Sequence, residues 1–204
     1  DMDLLFVSYY YNDIYWFEND GSENFTEHTI STSASDGCES VYATDVDGDG
    51  DMDVLSTSYF TDQIAWYEND GSESFTEHSI STAADGANSV YATDVDGDGD
   101  MDVLSASILD DKIAWYENDG SESFTEHAIS TSADNAYSVY AADMDADGDI
   151  DVLSASNLDH KIAWYENNGS ENFTERVISI SVNYPMSVYI ADMDTDGDMD
   201  VLSA

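Results

Sequence analysis

Asp45-Val46-Asp47-Gly48-Asp49-Gly50-Asp51-Met52-Asp53 is the stretch whose reading decides the fold, and it recurs in register at residues 94–102, 143–151 and 192–200. Acids hold positions 1, 3, 5, 7 and 9 of every copy, Gly holds position 6, and an apolar β-forming run follows. Carboxylates at positions 1, 3 and 5 of a tight loop are expected to converge on one point. Gly at 6 permits the sharp turn, and the Asp at 9 closes the shell from the start of the next strand. Hard oxygen donors in this number, with no His or Cys among them, select Ca²⁺ over zinc or copper. The candidate metal residues are therefore Asp45, Asp47, Asp49, Asp51 and Asp53; Asp94, Asp96, Asp98, Asp100 and Asp102; Asp143, Asp145, Asp147, Asp149 and Asp151; and Asp192, Asp194, Asp196, Asp198 and Asp200. Position 7 would offer its backbone carbonyl, so the side chains of Asp51, Asp100, Asp149 and Asp198 are expected to face outward or to stand behind the ligands. An EF-hand would need a bidentate Glu at position 12; here Ser56, Ser105, Ser154 and Ser203 stand there.

Working outward, the segment that begins at position 7 recurs at Asp1, Asp51, Asp100, Asp149 and Asp198. The chain thus divides into repeats 1–50, 51–99, 100–148 and 149–197 with a partial fifth, 198–204. The second and third match at 37 of 49 positions, which is tandem duplication. Within a unit, β-branched and aromatic runs bounded by Gly, Asn and Asp predict four short strands, at 41–44, 52–58, 64–68 and 75–81 around the second loop. The turn Asn69-Asp70-Gly71-Ser72, with counterparts at Asn19, Asn118 and Asn167, is a hairpin signal between the last two. Four strands per unit of this length is the arithmetic of a β-propeller blade, so the predicted fold is all-β, four antiparallel strands to a blade. Differences between units collect in two loops, at 9–13, 59–63, 108–112 and 157–161, and at 33–39, 83–88, 132–137 and 181–186. Such variation over a fixed scaffold is where a partner site would be built.

Charge narrows the partners. With 46 Asp+Glu against 3 Lys+Arg, the formal net charge is -43 over 204 residues. Lys112, Lys161 and Arg176 cannot form the basic stripe that grips nucleic-acid phosphates, and an anionic membrane surface is disfavoured likewise. A hydrophobic content of 42% and an aromatic content of 12% are too high for a solvated acidic tail, so the chain is expected to fold once its acids are answered by something cationic. The lone Cys38 excludes an intrachain disulfide. No apolar run approaches the ~18 residues of a membrane span and no signal peptide heads the chain, which reads as mature or excerpted.

The nine-residue Asp loops, the Met-Asp-Val-Leu strand after them and the aromatic-Glu-Asn-Asp-Gly-Ser-Glu-x-Phe-Thr hairpin together resemble the FG-GAP repeats of integrin α-subunit propellers and the similar VCBS-type repeats of secreted proteins. The resemblance implies one Ca²⁺ per complete loop, four in all, held at positions 1, 3, 5, 7 and 9. It also implies an extracellular setting, secreted or at the cell surface, with adhesion or ligand recognition as the work. Propellers of this kind close with seven or eight blades, whereas this chain carries four. It is therefore expected to belong to a longer array or to be completed in trans through unpaired end strands.

Among the remaining residues, Trp16, Trp66, Trp115 and Trp164 share one repeat position and are expected to pack between blades, with a sugar-stacking platform as the alternative. His28, His78 and His127 share another, which Arg176 fills in the fourth unit; a metal ligand would not tolerate that exchange. Asn24, Asn168 and Asn172 head glycosylation sequons. The reading that results is a non-catalytic extracellular calcium-binding module whose partner is a protein, a glycan or another copy of itself. A filament or surface-coat subunit is the alternative. Catalysis is disfavoured because lyase chemistry needs cationic groups this chain scarcely has, and because an active site should break the repeat.

Overall fold

The computed structural model describes residues 2–204, and every regular element among them is a β-strand. The strands are β1 (Leu4–Ser8), β2 (Asp13–Asn19) and β3 (Phe25–Ser31); β4 (Cys38–Thr44), β5 (Asp53–Ser58), β6 (Gln63–Asn69) and β7 (Phe75–Ser81); β8 (Ala87–Thr93), β9 (Asp102–Ser107), β10 (Lys112–Asn118) and β11 (Phe124–Ser130); β12 (Ala136–Ala142), β13 (Asp151–Ser156), β14 (Lys161–Asn167) and β15 (Phe173–Ser179); and β16 (Val188–Ala191) with β17 (Asp200–Ser203). They form three four-stranded antiparallel sheets, β4 to β7, β8 to β11 and β12 to β15, flanked by three-stranded β1-β2-β3 and two-stranded β16-β17. A sheet therefore starts one strand before the acidic loop. The loop joins the first two strands of a blade, and the 49-residue sequence unit straddles two blades.

Strand chemistry follows position in the sheet. The second strand, Asp-Val-Leu-Ser-x-Ser in β5, β9 and β13, is buried along its whole length because neighbouring sheets cover both of its faces. The fourth strand is covered less, and no residue of β7 is fully buried. One apolar core gathers Leu55, Ile64 and Trp66 from the second sheet with Val103, Ala114 and Tyr116 from the third, and its counterpart joins Leu104, Ile113 and Trp115 to Val152, Ala163 and Tyr165. Trp66 and Trp115 are each 1% exposed, so neither face of either indole is open to a sugar.

The innermost strands β4, β8, β12 and β16 lie side by side. Their tyrosines form a continuous ladder, Tyr42 to Tyr91 to Tyr140 to Tyr189, with ring centroids 4.8, 4.6 and 5.1 Å apart. Beside it the hydroxyls of Ser40, Ser89 and Ser138 accept the N–H groups of Val90, Val139 and Val188 in the following sheet. The acidic loops and the Asn-x-Gly-Ser turns lie at one end of the blades, because both connect strands in the same direction; the two variable loops lie at the other end.

All three basic side chains are consumed within the fold. Lys112 pairs with Asp110 and Glu126, Lys161 with Asp159 and Glu175, and Arg176 with Glu166. The two lysines also donate to the carbonyls of Ala83 and Ser132 in the preceding unit, so they staple neighbouring blades. Cys38 is buried in the first inter-sheet core, where burial pushes its thiol up to about 11 and leaves it unreactive.

Candidate metal centres

Each acidic loop is wound by its own carboxylates. Asp45 accepts the N–H of Gly48 at 2.8 Å and of Gly50 at 3.0 Å, Asp47 that of Asp49 at 3.1 Å, and Asp49 that of Asp51 at 2.9 Å. Gly50 sits at φ 98, Gly99 at φ 101, Gly148 at φ 99 and Gly197 at φ 98, a conformation that a β-carbon would strain. Position 4 is also left-handed, yet there Gly48 and Gly97 give way to Ala146 at φ 61 and Thr195 at φ 64.

This winding brings positions 1, 3 and 9 together. One carboxylate oxygen from each of Asp45, Asp47 and Asp53 lies within 4.8 Å of the others, and the same holds for Asp94, Asp96 and Asp102, for Asp143, Asp145 and Asp151, and for Asp192, Asp194 and Asp200. Position 5, Asp49, Asp98, Asp147 and Asp196, stands outside these triads, its carboxylate turned to the N–H of position 7. The position-7 carboxylates of Asp51, Asp100 and Asp149 lie against Gly71, Gly120 and Gly169 of the neighbouring turn; a β-carbon on Gly71 would come within 2.5 Å of the Asp51 Oδ2. The glycine of the Asn-x-Gly-Ser turn is thus required twice, for its positive φ and for this close approach.

Position 9 anchors each centre. Asp102 is fully buried; its Oδ2 accepts the Val95 N–H at 3.0 Å and its Oδ1 the Asn118 N–H at 2.8 Å. Burial pushes its carboxyl up to about 6 even though those N–H groups pull the other way, and Asp53 and Asp151 are raised for the same reason. The Trp115 indole N–H faces the Asp102 carboxylate and helps hold its pKa down, without reaching hydrogen-bond geometry. Asp47, Asp96 and Asp145 are raised too, by desolvation first and by the neighbouring acids after it. Convergent, partly desolvated carboxylates with no cation among them are the donor set of a hard, oxygen-loving metal ion, and the residues present fit one.

The Asn that opens each hairpin turn escaped the sequence reading, which saw only the turn. Asn118 donates its amide to the Met101 carbonyl at 3.2 Å and to the Val46 carbonyl at 3.3 Å, the latter being position 2 of the preceding loop; Asn167 does the same toward Val95. Its presence at the same place in all four units was the available signal. The histidines also acquire a place: His78 and His127 lie against Trp66 and Trp115 and each meets a Glu oxygen at 2.7 Å, of Glu68 and Glu117. Arg176 repeats the arrangement over Trp164 with Glu166.

Stacked four-stranded blades, each with an acidic metal-competent loop between its first two strands, define a β-propeller-like repeat protein. The chain belongs to the FG-GAP-like repeat family, whose model matches residues 1–56, 45–105, 94–154 and 143–203. No curated protein matches it. Among solved structures it is similar to virginiamycin B lyase from Staphylococcus aureus, at 21% identity and a TM-score of 0.62 over 92% of this chain and 56% of that one. It is also similar to an auxiliary nutrient binding protein from Bacteroides ovatus, at 13% identity and TM-score 0.57 over 90% and 49%. A third is the V. cholerae biofilm matrix protein Bap1, at 21% identity and TM-score 0.56 over 98% and 30%. These likenesses show the fold, and the chain spans between about a third and somewhat over half of each of these proteins.

Proposed function

We propose that this chain is a non-catalytic, calcium-stabilised extracellular module that presents its variable loops for recognition or scaffolding. The observation that carries this reading is the fourfold repetition of one Asp triad, each closed by a position-9 carboxylate, with all three basic side chains engaged elsewhere. Four divalent ions would take the formal charge from -43 to -35 and relieve repulsion where it is most concentrated. Extracellular modules of this type bind Ca²⁺ at roughly 10⁻⁴ to 10⁻³ M, which suits millimolar calcium outside cells. Nearly all of the acids recur from unit to unit, whereas an active site would break the repeat. The exposed Asn24, Asn168 and Asn172 suit a glycosylated surface.

A structural role in a matrix or coat is the second reading, favoured by the near-identity of the units and by the likeness to a biofilm matrix protein. Calorimetric Ca²⁺ titration, with thermal unfolding and light scattering before and after chelation, tests both. Saturable binding with a large rise in Tm supports the calcium module, and calcium-dependent growth in particle size selects the matrix role. Unchanged stability on chelation overturns the calcium reading.

A further inference from the structure

The tyrosines of the innermost strands take no part in the metal loops or the variable loops. Tyr42, Tyr91, Tyr140 and Tyr189 hold the same place in every unit. Among the described residues, contacts between two tyrosines of different blades occur only in this ladder; the Tyr9 and Tyr10 pair lies within one loop. Tyr91 and Tyr140 make its closest step, with ring centroids 4.6 Å apart and planes inclined at 39°, against 53° and 59° for the steps on either side. This pair has a neighbouring ring on each flank, so its geometry does not depend on the ends of the chain. The two rings are also held in register from behind. Strands β8 and β12 lie side by side, and between them the Ser89 hydroxyl accepts the Val139 N–H at 3.3 Å. Within its own sheet Tyr91 pairs with Leu104 and Tyr140 with Leu153, and both leucines are fully buried.

Two phenol rings this close and this nearly parallel can bring the carbons ortho to their hydroxyls together with a small ring rotation. The Tyr91 phenol is pushed above its ordinary range, by desolvation first and then by the phenols of Tyr140 and Tyr42. It therefore stays protonated at neutral pH, and losing an electron means losing a proton as well. The ladder also lets an oxidising equivalent that arrives at one ring reach this step by transfer between adjacent rings. A one-electron oxidant removes the phenolic hydrogen of each tyrosine as an electron and a proton. The two tyrosyl radicals join through one new C–C bond between ortho carbons. The hydrogen on each joined carbon then moves to its own oxygen and restores two phenols. Two hydrogen atoms leave in all, and hydrogen peroxide, whose O–O bond breaks, takes them up to give two waters.

We propose that the contact between Tyr91 and Tyr140 is a covalent modification site, at which a haem peroxidase with hydrogen peroxide joins two neighbouring blades through a dityrosine bond. Such a bond closes a loop one repeat long and restricts the unfolded chain, as a disulfide does. This inference stands apart from the calcium reading. The test treats dilute, calcium-loaded protein with peroxidase and peroxide and follows dityrosine fluorescence and intact mass. Cleavage before aspartates leaves Tyr91 in residues 85–93 and Tyr140 in residues 134–142. A monomer lighter by two hydrogen atoms is expected, with these two peptides joined and fragment spectra placing the bond at Tyr140 and not at Tyr137. The variant Tyr91→Phe, Tyr140→Phe keeps both rings and leaves no two adjacent tyrosines in the ladder, so this product should be lost. After chelation the linked protein should melt at a higher temperature than the equally treated variant. Coupling only between molecules, a bond elsewhere in the chain, or an equal yield of the intramolecular product from the variant would overturn the proposal. Equal melting temperatures would overturn the bond's role in holding the blades together.

Discussion

The side-chain amide of Asn118 donates to the carbonyl of Val46 at 3.3 Å, across 72 residues and from one blade to the next. The same residue's backbone N–H holds Asp102, so one asparagine braces its own loop and the loop before it. Asn118→Asp keeps the shape but loses the amide donors and adds a buried charge. It should cost about 2–3 kcal/mol and weaken Ca²⁺ binding at 45–53 as well as at 94–102. Calorimetry that resolves two weakened sites checks this; one weakened site would refute the bridging role.

The raised Asp102 carboxyl makes the pH response depend on metal. Without metal, its folded pKa of about 6 lies above the ordinary aspartate value, so its contribution is fully present below about pH 4 and is lost as pH rises through 6. Chelated protein should therefore gain in Tm as pH falls from 7 to 5. Calcium-loaded protein should lose Tm over the same interval, because protons compete for the ligands. Differential scanning calorimetry at both pH values, with and without chelator, reads the two opposite slopes.

Asp102→Asn separates the metal's cost from its benefit. Removing the buried charge should stabilise the metal-free fold, while one Ca²⁺ of the set is lost and the calcium-induced rise in Tm shrinks. The stoichiometry of a calcium titration against wild type is the measurement.

Ala146 and Thr195 occupy left-handed backbone where the other loops use Gly48 and Gly97. A side chain there costs roughly 1–2 kcal/mol, partly offset by the greater freedom of glycine in the unfolded chain. Ala146→Gly should thus stabilise by about 0.5 kcal/mol, and Gly97→Ala should destabilise by a similar amount. Gly99→Ala should cost more, since φ 101 lies outside the region alanine can enter. Denaturant unfolding at saturating calcium ranks the three.

Arg176 fills the position of His28, His78 and His127 with the same two neighbours, a Trp face and a Glu oxygen. Exchanging the two, by Arg176→His or His78→Arg, should change stability by less than about 0.5 kcal/mol, because either side chain covers the indole and meets the carboxylate. Thermal melts of both variants check this, and a loss above about 1 kcal/mol in either would mean that the two side chains are not interchangeable there.

Much of the fold was legible because duplication repeats each local signal four times. The β-branched and aromatic runs, the Asn-Asp-Gly-Ser turn and the 49-residue period located the strands to within a few residues, from 75–81 without error to 41–44, which runs from Cys38. Other features were illegible because they join residues far apart in sequence. The Asn118–Val46 bridge and the tyrosine ladder are contacts between units, and a period reports what recurs without saying what touches. The convergence of positions 1, 3 and 9 in each loop is likewise a matter of winding that spacing alone does not report.

The amino-acid sequence by itself determined an all-β repeat with an acidic loop per unit, because β-branched and aromatic runs, glycine turns and carboxylate spacing are local properties that the backbone expresses wherever it folds. Only the tertiary structure decided that the sheet begins before the acidic loop, which carboxylates meet, and that position 9 is buried with a raised pKa. Those outcomes depend on the surroundings that the fold supplies, which remove water from Asp102, and on the neighbouring blade, whose Asn167 reaches back to the Val95 carbonyl of the same loop, and no single unit contains that information.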